Sequence, residues 1–107
     1  MTAHGLASLL TLTLLMVPAA ADEAQLKEGY ALLTQHCARC HAVGPDGDSA
    51  RADAPTFRTL GKRYPIESLE ETLGEGTMSS HPDMPEWSFD APQVGVIIAY
   101  LKSIQSR

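Results

Sequence analysis

The chain has 107 residues, with 8 Lys and Arg against 13 Asp and Glu for a formal charge of −5, and it contains 2 cysteines. That length holds one small domain with a marginal core of its own, and the acidic balance disfavours nucleic acid and anionic membrane while suiting a partner with a basic face. Two cysteines are too few for a disulfide framework or a four-cysteine zinc site.

From Leu6 to Val17 the chain is apolar apart from Ser8, Thr11 and Thr13, and it then runs into Pro18 and Ala19-Ala20-Ala21. A short apolar stretch ending in small residues has the form of a secretory signal peptide, with cleavage expected between Ala21 and Asp22. It is short and rich in Thr and Ser for a membrane anchor, so contact with a membrane is expected only if it is retained. Every Asp, Glu, Lys and Arg lies beyond Ala21. The expected division is therefore a signal peptide at residues 1–21 and one domain at residues 22–107.

Asp22 to His36 carries small or apolar residues at Leu26, Gly29, Tyr30 and Leu33, continuing to Cys37, which is the spacing of an amphipathic helix. Asp22 and Glu23 fall in its first turn, where negative charge suits the helix dipole. Glycine inside a helix costs about 1 kcal/mol against alanine, so Gly29 implies close approach of another backbone.

The helix leads into Cys37-Ala38-Arg39-Cys40-His41. Two cysteines at this spacing reach the two vinyl groups of one porphyrin, and the following histidine is placed to ligate its iron. A thiol–disulfide pair is the first alternative, but it normally accompanies a β-α-β pattern absent here. A Cys2His2 zinc site is the second, and neither His36 nor His81 has the needed spacing.

Val43 to Ala54 is polar and contains Gly44, Pro45 and Gly47, the composition of a loop. Thr56 to Lys62 forms a short helix with Phe57 and Leu60 inward. Another helix starts at Tyr64-Pro65, buries Ile66, Leu69 and Leu73, and stops at Gly74 or Gly76. Thr77 to Phe89 has neither helical nor strand periodicity. Asp90, followed by Gln93, resembles a capping box, and the last helix buries Val94, Ile97, Ile98, Leu101 and Ile104. No segment reads as a strand, so the fold class is all-α.

In these features the chain resembles the class I monohaem cytochromes c of the small bacterial periplasmic type, over Asp22 to Arg107. Gly29 stands eight residues before Cys37, Cys37 to His41 supplies C-x-x-C-H, Met84 lies in an irregular loop, and Ile97-Ile98-Ala99-Tyr100-Leu101-Lys102 is similar to the family's final helix. The resemblance implies one covalently bound haem c on Cys37 and Cys40, with iron ligated by His41 and a later methionine. It implies first and last helices crossing at Gly29, with Ile97 and Tyr100 packed over it. It also implies that a proline carbonyl, best matched by Pro55, holds the free ring nitrogen of His41.

Beyond the expected cleavage point only Met78 and Met84 carry a thioether. Met84 is preferred for its family-like distance from Tyr100 and its place between Pro82 and Pro85, while His81 is the competing ligand and would lower the potential. Haem propionates need donors, for which Trp87, Tyr64 and Arg63 are candidates, and His36 is expected to be exposed. The expected function is single-electron transfer between redox partners by an exported, monomeric protein that performs no bond-making step. The rival readings are a haem-c electron-entry subunit of an exported dehydrogenase or oxidase, and an open-site haem sensor.

Overall fold

The computed structural model describes residues 2–15, 20–76 and 83–106, with side chains in the first helix described from Asp22 onward. Residues 2–15 adopt no regular secondary structure, and Leu6, Leu9, Leu10, Leu12, Leu14 and Leu15 lie outside the core with their side chains exposed. Among the described residues no helix is long and apolar enough to cross a membrane.

Three α-helices frame the domain: α1 (Ala20–Cys37), α2 (Leu69–Glu75) and α3 (Ala91–Ser103), with 3₁₀ segments at Phe57–Lys62 and Ile66–Ser68. No strand occurs among the described residues, as an all-α fold requires. The expected third helix is divided. Pro65 leads into the 3₁₀ turn Ile66–Ser68, whose Ser68 donates both its N–H and its hydroxyl to the Pro65 carbonyl at 3.0 and 2.7 Å, before the chain relaxes into α2. Gly76 closes α2 at φ 137°, a backbone region that favours glycine.

The start of α3 follows from its sequence. The Gln93 N–H donates to Asp90 Oδ1 at 2.9 Å, and the Asp90 N–H donates to Gln93 Oε1 at 3.1 Å. This reciprocal box satisfies helix N–H groups that have no intrahelical partner. Inward from it, Val94, Ile97, Ile98, Tyr100 and Leu101 are buried, and Ile97 has no exposed surface at all.

The main tertiary contact is the crossing of α1 and α3. Gly29 is buried there, and a Cβ on it would overlap the Val96 carbonyl oxygen and lie 2.8 Å from Tyr100 Cβ. Tyr100 is the expected neighbour, and the Val96 carbonyl group lies beside it against Gly29. Leu33, Phe57, Leu60, Ile66 and Leu73 complete the interior, joined by Val43 and Phe89 from irregular segments. Tyr30, expected on the buried face, stays substantially exposed while its ring pairs with that of Tyr100 at 5.5 Å.

Candidate functional site

Cys37 is the last residue of α1, and its carbonyl accepts from the Cys40 N–H at 3.2 Å and the His41 N–H at 3.0 Å. One carbonyl thus curls the chain through a further turn and keeps both thiols and the imidazole within a single short arc. The two cysteines are unbonded to each other and half-buried. Burial pushes the Cys37 thiol up to about 11, so it is protonated near neutral pH.

The loop after the motif folds back over it. Arg51 N–H donates to the Cys40 carbonyl at 3.1 Å, Ala42 N–H to Ser49 Oγ at 3.0 Å, and Phe57 N–H to the Ala42 carbonyl at 2.9 Å. Arg58 Nη1 holds the far end through the Gly47 carbonyl at 2.5 Å. A stretch with little apolar content is therefore ordered by backbone hydrogen bonds, the groups that must be satisfied wherever water is excluded.

At the end of this loop His41 Nδ1 lies 2.7 Å from the Pro55 carbonyl oxygen. A carbonyl only accepts, so Nδ1 carries the proton and the Nε2 lone pair is left for a metal. The ring also packs on Phe57 at 4.8 Å between centroids. Phe57 is fixed in turn from the C-terminus, where Gln105 Nε2 donates to its carbonyl at 2.9 Å and Gln105 Oε1 accepts from the Gly61 N–H at 2.7 Å.

From α3, Tyr100 donates its hydroxyl to the Val43 carbonyl at 2.6 Å, in a buried setting. Burial, with Tyr30 nearby, pushes the Tyr100 phenol up, which keeps it a neutral donor. Tyr100→Phe is expected to leave that carbonyl buried without its donor and to cost about 1–3 kcal/mol. A denaturant midpoint equal to wild type would show that water reaches Val43.

Met84 is 39% exposed in the irregular segment before α3. Its neighbour Asp83 accepts from Arg51 Nη2 at 3.0 Å, and Arg51 Nε also donates to Asp53 at 2.7 Å. Those hydrogen bonds, to Asp53 first and Asp83 second, hold the Arg51 guanidinium more firmly protonated than usual. Trp87 packs on His36 at 4.5 Å, and Phe89 meets the same ring edge-on at 5.4 Å. His36 is therefore half-buried, contrary to its expected exposure, because these two aromatic rings cover it. Sequence reading also missed Arg51, Asp53 and Asp83; the Arg51–Asp83 pair joins residues more than thirty apart and leaves no local signal.

The side chains of Tyr64 and Arg63 are exposed, and among the described residues no hydrogen bond or ring contact joins them to the motif. Met78 and His81 lie outside the described residues. A cleft of about 810 Å³ between α2 and α3, lined by Glu67, Glu70, Glu71, Phe89 and Val94, includes none of the motif's side chains.

The donor set suits a covalently attached haem. Two unpaired thiols share one arc with an imidazole whose Nδ1 is already committed. Among the described residues none that is buried is charged, and no buried side-chain polar atom is without a partner. Such a shell takes a flat, largely apolar ring without stranding a polar group.

The Cytochrome c family profile matches residues 26–105, which takes in most of α1, the motif and all of α3. The chain belongs to the cytochrome c family. Among curated proteins it is 32% identical over 77 residues to cytochrome c-552 of Bradyrhizobium diazoefficiens, covering 72% of each chain. No solved structure matches it significantly. Family membership brings covalently bound haem c and, with it, electron transfer. The cofactor supplies one-electron iron chemistry, while the protein supplies binding, orientation and electrostatics.

Proposed function

We propose that this cytochrome c is an exported single-electron carrier whose haem is attached at Cys37 and Cys40 and ligated by His41 and Met84. The observation that carries the reading is the His41 Nδ1 contact with Pro55 at 2.7 Å. It directs Nε2 away from the loop and fixes the ring plane for a metal. Phe57 packs against the same ring and limits its movement.

Opposite this ligand, a thioether stabilises the reduced iron and closes the sixth position, which favours electron transfer over ligand binding. Met84 is described with its side chain partly solvent-facing, as a ligand at the rim of an exposed haem edge would be. The acidic surface suits brief docking with a redox partner that presents a basic face, so electron exchange with it is expected to slow as salt increases. Removal of residues 1–21 fits the same reading, because the leucines of residues 2–15 contribute nothing to the core.

The visible spectrum of the matured protein, oxidised and reduced, with and without carbon monoxide, tests this reading. A low-spin haem with the weak sulfur-to-iron charge-transfer band and no rapid carbon monoxide binding is the expected result. A high-spin haem that binds carbon monoxide readily would take Met84 off the iron and favour an open-site sensor. Isolation in a stable complex with an exported dehydrogenase or oxidase would instead favour an electron-entry subunit.

A further inference from the structure

Met84 sits between two contacts that lead back to the haem-attachment segment. One residue before it, Asp83 Oδ2 accepts from Arg51 Nη2 at 3.0 Å. Three residues after it, Trp87 packs on the His36 ring at 4.5 Å. The partners of these contacts belong to the two edges of one motif. His36 immediately precedes Cys37, and the Arg51 N–H is bonded to the Cys40 carbonyl at 3.1 Å. Asp53, held on Arg51 Nε at 2.7 Å, fixes the guanidinium that reaches Asp83 through Nη2.

We propose that Arg51 and His36 are positioning residues that clamp the Met84 segment onto the haem-attachment segment and so set how readily Met84 leaves the sixth position. This rests on the reading of Met84 as a ligand. The physical argument is one of shared anchorage. Haem fixed at Cys37 and Cys40 would move with α1 and the turn after it, whereas Met84 lies in the described residues 83–90, none of which is in a helix or strand. Irregular segments with exposed backbone open locally at low free-energy cost. Tying residues on both sides of Met84 to the part of the chain that carries the ring removes relative motion between sulfur and iron. An incoming ligand must then break a charge pair, a ring contact, or both before it reaches the iron.

The pair is exposed, with Arg51 and Asp83 side chains at 37% and 64%, so each contact is modest. Exposed ion pairs and aromatic contacts each shift an equilibrium severalfold rather than by orders of magnitude. The experiment is a titration of the ferric holoprotein with imidazole at low salt, followed by loss of the sulfur-to-iron band. Arg51→Gln and Asp83→Asn are each expected to raise imidazole affinity about threefold, in keeping with one exposed ion pair. The double variant should gain less than the sum of the two single ones, because both remove the Arg51–Asp83 contact. His36→Ala should raise the affinity independently, and His36→Phe, which retains a ring for Trp87, should restore it. In a Met84→Ala background, where no sulfur-to-iron band exists and imidazole binding is followed instead by the shift of the main haem absorption, Arg51→Gln should change nothing, an outcome that a general loss of stability would not produce.

Wild-type affinity in Arg51→Gln and Asp83→Asn, with the sulfur-to-iron band intact, would overturn the clamp and leave Met84 as the ligand. A wild-type protein lacking that band would overturn both at once, so the two failures are told apart by the first spectrum.

Discussion

Gly29→Ala is expected to cost the domain about 3 kcal/mol or more, the upper end of what overpacking does in a well-packed interior. The added Cβ would overlap the Val96 carbonyl oxygen and stand 2.8 Å from Tyr100 Cβ and 2.9 Å from the Val96 carbonyl carbon. Two of these atoms are backbone of α3, which no rotamer change can move. Relief must come from separating the helices, and that loosens Leu33, Ile97 and Leu101, each at most 2% exposed. Alanine's better helix propensity returns only about 1 kcal/mol. Gly95→Ala supplies the contrast, since its Cβ would meet nothing within 4 Å. At that exposed helical position the same propensity gain of up to about 1 kcal/mol has nothing to oppose it. Urea midpoints of the two holoprotein variants check both statements, and a Gly29→Ala protein as stable as wild type would mean that the helices do not cross there.

The elements that sequence reading placed well carry a local cause. Asp90 and Gln93 are three residues apart and cap each other, so α3 could be placed from that pair and the apolar period behind it. A close approach at Gly29 was legible for a related reason, because a glycine that lowers helix propensity needs a compensating contact. That the partner is the last helix came through the resemblance. The Val96 carbonyl against Gly29 was not legible, because spacing selects the side chain facing the core and says nothing of which carbonyl faces the partner helix. Val43 and Phe89 were missed as core because an isolated apolar residue in an irregular segment has no period. Their burial depends on distant partners, the Tyr100 hydroxyl for Val43 and the Leu73 carbonyl for the Phe89 N–H at 2.9 Å. His36 was misjudged in the same way, since the rings that cover it come from Trp87 and Phe89 near the other end of the chain. Within the site, Cys37, Cys40 and His41 are a contiguous motif and were legible outright. The contact of His41 with Pro55 came only through resemblance to a family. The Arg51 pairings needed coordinates.

Met84→Ala is expected to lower the reduction potential by at least about 60 mV, a tenfold shift of a one-electron equilibrium. Thioether sulfur is a soft ligand that prefers the reduced iron, and water or hydroxide in its place prefers the oxidised one. The sulfur-to-iron band should disappear and carbon monoxide should bind the reduced form rapidly. The apolar core does not include Met84, which is 39% exposed and absent from the buried cluster, so the substitution opens the sixth position without leaving a cavity under the helices. Thermal unfolding should accordingly change far less than the potential, in contrast to Gly29→Ala, where stability carries the effect. This separation lets the result be assigned. A fall in potential with an unchanged fold places Met84 on the iron. A wild-type potential and spectrum in Met84→Ala would remove it from the site and turn the search for the sixth ligand to Met78 and His81.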